Sequence, residues 1–256
     1  MTNMKRICII GDSHVAALKN GWTTLAIEYP GVELTFFAAG SQHMEALAVG
    51  GNAVVATTPQ LRKRLKITSS GQTEINGSYD AYAICGLGMN CTVAAQIHKI
   101  LLAVQRGAEL SQANRNDTLV KTIAESLQLT MSIRVLDMVR QITNAAAVLV
   151  PQPLRAEDDT PTPDDPSKSM RWIQAPFQMV CERLAKERKA SFLPQPVETI
   201  SDTLLATKAK YAIAPSRLSA NESKEDRSHM NGEYGAIVLR KALGVLAFAP
   251  IQDAAR

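Results

Sequence analysis

The 256-residue chain has no stretch approaching the roughly 20 consecutive apolar residues that a bilayer crossing requires. Its first thirty residues contain no long apolar segment followed by a small-residue cleavage site. Both absences lead to the expectation of a cytoplasmic protein with no membrane partner. Cysteine is scarce. Cys8, Cys85, Cys91 and Cys181 form no C-x-x-C pair, and Cys8 and Cys85 lie inside apolar runs, where cysteine reads as a small buried hydrophobe rather than part of a disulfide framework. Internal repeats are missing, and His14, His43, His229 and Asp12 fit no metal-ligand spacing. The charge excess is only +4, and the densest basic run (Arg62, Lys63, Arg64, Lys66) is short and free of interleaved aromatics. That pattern suits a solvated edge rather than a nucleic-acid groove, so no nucleic-acid partner is expected.

What is present is an apolar content of 46 %, ample for a core, in a length that suits one α/β domain over residues 1–256. The chain is organised around Arg6 to Leu18, RICIIGDSHVAAL. Ile7 to Ile10 form a run suited to a strand buried on both faces, and Gly11 allows a sharp turn into a helical pattern from Val15. Ser13 therefore falls where a strand hands over to a helix. There a hydroxyl is exposed at the C-terminal edge of a sheet, beside backbone N–H groups that favour negative charge. Such a position suits a serine nucleophile. It equally suits a helix cap supplied by Asp12 or Ser13, and this stretch alone does not separate the two.

Further along, Val15 to Glu28 reads as a helix stopped by Pro30-Gly31, and Val32 to Ala39 as a second strand ending at Gly40-Ser41. Leu65 to Thr68 and Thr73 to Ile75 flank a Ser-Ser-Gly-Gln turn, which predicts a small hairpin near 62–76. Tyr79 to Cys85 is a third strand running into Gly86 to Asn90, where Asn90 can cap the next helix or present its amide. Thr92 to Asn144 is mostly helical, with core stripes at Leu119, Ile123, Leu127 and at Leu129, Ile133, Leu136, Val139. Ala145 to Val150 is a fourth strand. The acidic, proline-rich stretch 156–169 reads as an exposed, mobile loop, either a plain surface loop or a lid over a site. Phe177, Val180, Cys181 and Leu184 mark an amphipathic helix, and Ser191 to Leu193 a fifth strand. Residues 200–224 read mostly as loop. A final helix carries Tyr234, Ile237, Val238 and Val245 on one side, with Asp226 and His229 just before it.

Alternating strands and helices indicate a parallel sheet covered on both faces, with ligands beyond the C-terminal strand edge. Ser13, Gly40, Asn90 and His229 all fall there or at the entry to a helix. Acyl transfer to a serine needs a nucleophile, a base, a group orienting the base, and donors for the developing oxyanion. Ser13, His229 and Asp226 can fill the first three roles. The backbone N–H groups of Ser13 and Gly40 and the side-chain amide of Asn90 can supply the donors.

On these residues the chain resembles the SGNH or GDSL-type hydrolases, a family named for four residues in separate blocks. Gly11-Asp12-Ser13-His14 is similar to its first motif, Gly40 to its second, Gly88-Met89-Asn90 to the glycine-x-asparagine of its third, and Asp226 to His229 to its terminal aspartate-x-x-histidine. The resemblance implies a three-layer α/β/α, flavodoxin-like fold with a five-stranded parallel sheet. It also implies cofactor-free ester chemistry on a small-molecule or carbohydrate substrate. His14 departs from the leucine common after the serine, and Cys91 from the aspartate that often follows the asparagine and helps hold its loop. Three activities fit: hydrolysis of short acyl or O-acetyl esters, acyl transfer through the same serine, and non-catalytic binding of an acylated or glycan ligand.

Overall fold

The computed structural model describes residues 4–92, 94–97, 112–157, 167–202, 206–216 and 228–250. Its main sheet contains β1 (Lys5–Gly11), β2 (Val32–Ala38), β6 (Ala81–Cys85), β7 (Ala146–Val150) and β8 (Ser191–Phe192), in the order β2-β1-β6-β7-β8. All four pairings are parallel. Side chains of a strand alternate between faces, and β1 divides accordingly. Cys8 and Ile10 enter one core, Ile7 and Ile9 the other, and all four are at most 1 % exposed. This is why the run lacks polar alternation: both faces are covered.

The helix Val15–Leu25 and the last helix Gly232–Val245 cover one face. The helices Pro59–Thr68, Met131–Ile142 and Ser167–Glu187 pack on the other, together with Leu119, Ile123 and Leu127 of Gln112–Gln128. The chain leaves β1 towards β2 on one side and returns to β6 on the other. The order reverses at β1, and in open parallel sheets ligands bind beyond the C-terminal strand ends at such a switch point.

The first and last helices meet through glycine. A Cβ on Gly235 would run into the carbonyl of Ala17, and one on Gly21 into the backbone at Ala236, so the two backbones touch where any side chain would separate them. Asn231 fixes the start of the last helix. Its Oδ1 accepts from the Tyr234 N–H at 3.2 Å, and its Nδ2 donates to the Lys210 carbonyl at 2.9 Å. His229 enters on this anchored segment. Gly235→Val is expected to cost about 2–3 kcal/mol of stability, at the upper end of core overpacking. It should also displace His229, because the helix that follows it is pushed outward. Thermal melts check the stability loss, and a wild-type melting temperature would refute it.

Several sequence expectations need correction. The predicted hairpin near 62–76 is instead a helix over 59–68. Thr58 caps it by accepting from the Leu61 N–H at 3.3 Å, Pro59 opens it, and Leu61 and Leu65 bury one face. The antiparallel hairpin lies earlier, in β3 (Leu47–Gly50) and β4 (Ala53–Ala56), with β5 (Glu74–Asn76) added to β4. Leu129 is 81 % exposed between two helices rather than part of the stripe, and Val245 points outward while Leu239 and Ala242 take the buried face. Of the loop 156–169, Ala156 is bridged to Thr207 and Ser167 already begins a helix, while 158–166 lie outside the described residues. All four cysteines are free and buried, as the apolar runs around Cys8 and Cys85 predict for those two, and burial pushes the Cys91 thiol up to about 12.

Candidate active site

Ser13 follows β1 by two residues, at the entry to the helix Val15–Leu25. Gly11 makes the turn possible, because a Cβ there would overlap the Cys85 carbonyl and the Val15 side chain. The Ser13 Oγ lies 2.7 Å from the Nε2 of His229, 216 residues further along the chain. His229 Nδ1 stands 3.4 Å from the Ser228 hydroxyl, and the His14 ring stacks on the His229 ring with centroids 4.9 Å apart and planes 22° apart. The residue that departs from the family's leucine therefore forms one wall of the imidazole. Asp226 lies outside the described residues.

Asp12, only 1 % exposed, ties four strand ends together. Its Oδ1 accepts from the His14 N–H at 3.1 Å. Its Oδ2 accepts from the Leu87 N–H at 2.7 Å, from Gln152 Nε2 at 2.9 Å and from the Ser41 hydroxyl at 3.3 Å. The loops after β1, β2, β6 and β7 thus converge on one carboxylate. Leu87 pays with a left-handed backbone, φ 54°, between Gly86 at φ 75° and Gly88 at φ 83°. A Cβ on Gly86 would lie 2.5 Å from Asp12 Oδ1, so the carboxylate and the glycine require each other.

Asn90 is reached through the same loop. Its Oδ1 accepts from the Thr92 N–H at 2.7 Å, so the capping role holds, and its Nδ2 donates to Gln152 Oε1 at 2.9 Å. A side-chain amide carries two N–H donors, of which Gln152 takes one. Gly40, exposed after β2, begins the short helix Ser41–Met44. Among the described residues no hydrogen bond engages the N–H of Ser13 or of Gly40. Ser13, Gly40, Asn90 and His229 all stand at the C-terminal edge of the sheet or at the helix that closes it. Gln152, Asp12 as a hub and the His14 stack were not anticipated. The acidic residue inside the Gly-Asp-Ser-His block was the one signal that could have pointed to the hub.

No protein-family model and no curated protein matches the chain. Among solved structures it is similar to an extracellular lipase from Streptomyces rimosus, with 13 % identity over 93 % of this chain and 99 % of that one, at a TM-score of 0.50. It is also similar to a gut microbial diltiazem-metabolizing enzyme, with 12 % identity over 95 % of this chain and 48 % of that one, at a TM-score of 0.45. The lipase match extends over both chains nearly end to end. The fold is that of the SGNH hydrolases. Within the SGNH fold, the five-stranded parallel sheet with helices on both faces is the architecture the four blocks led one to expect. Among the described residues of this SGNH fold no helix is long and apolar enough to cross a membrane, and no three His, Cys, Asp or Glu side chains cluster to hold a metal.

Proposed function

We propose that the chain is a serine hydrolase cleaving carboxylic esters of short acyl groups, O-acetyl groups on a carbohydrate among them. The observation that carries this reading is the 2.7 Å contact between Ser13 Oγ and His229 Nε2, the geometry of a nucleophile with its base. Ser13 attacks the ester carbonyl as its proton passes to Nε2. The oxyanion that forms is held by the N–H groups of Ser13 and Gly40 and by the Asn90 amide. Collapse of the adduct expels the alcohol, which takes the proton back from His229. Water then repeats the sequence and frees the acid. Asp226, three residues before His229, is assigned the role of steadying the imidazolium through Nδ1.

A short acyl preference makes kcat/KM fall about tenfold or more from acetyl to decanoyl, since forcing methylenes into a site filled by a short group costs about 1–3 kcal/mol. Hydrolysis of p-nitrophenyl esters from acetyl to decanoyl tests both claims. Turnover that peaks at acetyl supports them, a rate rising with chain length overturns the acyl preference, and an inert folded protein overturns hydrolysis itself.

A further inference from the structure

We propose that Gln152 is a positioning residue for the oxyanion site, holding the Asn90 amide in the orientation that acyl transfer needs. This rests on the ester-hydrolase reading and adds to it a residue that none of the four sequence blocks contains. Gln152 follows β7, and its backbone N–H donates to the Met89 carbonyl at 2.9 Å, which docks it against the loop carrying Asn90. Its side chain bridges the site. Nε2 donates to Asp12 Oδ2 at 2.9 Å and Oε1 accepts from Asn90 Nδ2 at 2.9 Å.

The direction of this chain of bonds is dictated at both ends. The Thr92 N–H can only donate, so it must meet the oxygen of Asn90 and turn the nitrogen towards Gln152. At the far end Asp12 Oδ2 already accepts from the Leu87 N–H, so Gln152 must offer it the nitrogen and keep its own oxygen for Asn90. Neither amide can flip without setting donor against donor. The plane of the Asn90 amide, and with it the direction of its second N–H, is therefore determined. Cys91, next to Asn90, offers the loop no strong acceptor or donor. The polar support comes from Gln152, just after β7.

The test pairs Gln152→Met with Asn90→Ala in a double-mutant cycle on p-nitrophenyl acetate. Methionine keeps the length of glutamine, cannot donate, and accepts only weakly. Removing an oxyanion donor outright costs about a hundredfold or more, and misaiming one should lower kcat about tenfold with KM unchanged. In the Asn90→Ala background the same substitution should cost less than about twofold, since no amide is left to aim. A full tenfold loss again in that background, or a loss confined to KM, would overturn the proposal. A second readout is independent of turnover. The Asn90 side-chain NH2 resonances, identified by their disappearance in Asn90→Ala, should shift in Gln152→Met, and unchanged resonances refute the role. If the wild type is inert on every ester while those resonances do shift, the ester reading falls and the positioning role stands. Should Gln152→Met not fold, Gln152→Ala, at a half-buried site where water can enter, serves for the same comparisons.

Discussion

Ser13→Ala is expected to lower the rate of p-nitrophenyl acetate hydrolysis by about 10⁴-fold or more while leaving the fold intact, and His229→Ala by a similar factor. The two side chains act as one unit across the 2.7 Å contact, so removing both should cost little more than removing either. Residual rate over the uncatalysed reaction would come from the oxyanion donors, which neither substitution touches. Stability should not follow activity. The Ser13 hydroxyl meets the imidazole rather than the core, and the helix entry is held by backbone bonds from Val15 N–H to the Asp12 carbonyl and from Ala16 N–H to the Ser13 carbonyl, at 3.1 Å each. Initial rates with a parallel thermal melt decide the matter. Retention of more than about one hundredth of the wild-type rate in Ser13→Ala would assign the nucleophile elsewhere.

Asp12→Asn should destabilise the protein by about 3 kcal/mol, although the side chain keeps its size, because a buried donor left without an acceptor costs about 1–3 kcal/mol and more than one is affected. A carboxylate offers acceptors alone; an amide replaces one of them with a donor. With its NH2 at the Oδ2 position, the asparagine would face the Leu87 N–H and Gln152 Nε2. Turned over, it would face the His14 N–H instead. Gln152 could flip in response, but its NH2 would then confront Asn90 Nδ2, and an Asn90 flip would take the acceptor from the Thr92 N–H. No arrangement satisfies every group. For a chain of this size the melting temperature should drop by about 6–12 °C. Activity should fall as well, since the loop presenting Asn90 loses its anchor. Calorimetry of the variant measures the first effect, and a melting temperature equal to that of the wild type would take the hub role from Asp12.

Much of the sheet was readable because burial on both faces leaves an unambiguous mark. Ile7 to Ile10 are apolar at every position, and a strand between two cores has no other way to be built. The helix Pro59–Thr68 escaped because Leu65-Lys66-Ile67-Thr68, taken alone, alternates like a strand, and the burial of Leu61 and Leu65 that decides for helix comes from contacts elsewhere in the chain. Ser13, Gly40, Asn90 and His229 were legible as strand ends and a helix entry. Gln152 was not, since a single glutamine between two prolines carries no local signal, and its partners stand 62 and 140 residues away.

Local sequence determined where the strands of the main sheet lie, where each one ends, and which chemistry-bearing residues stand at those ends. These follow from burial periodicity and from glycine at sharp turns, both properties of a few neighbouring residues. Tertiary structure decided what those ends do to one another. It brought His229 to Ser13 through a glycine-lined helix crossing, gathered four loops on Asp12, and set the direction of the Asp12–Gln152–Asn90 bonds. Hydrogen bonds of this kind are directional and join distant segments, so their pattern exists only once the sheet order has placed those segments side by side.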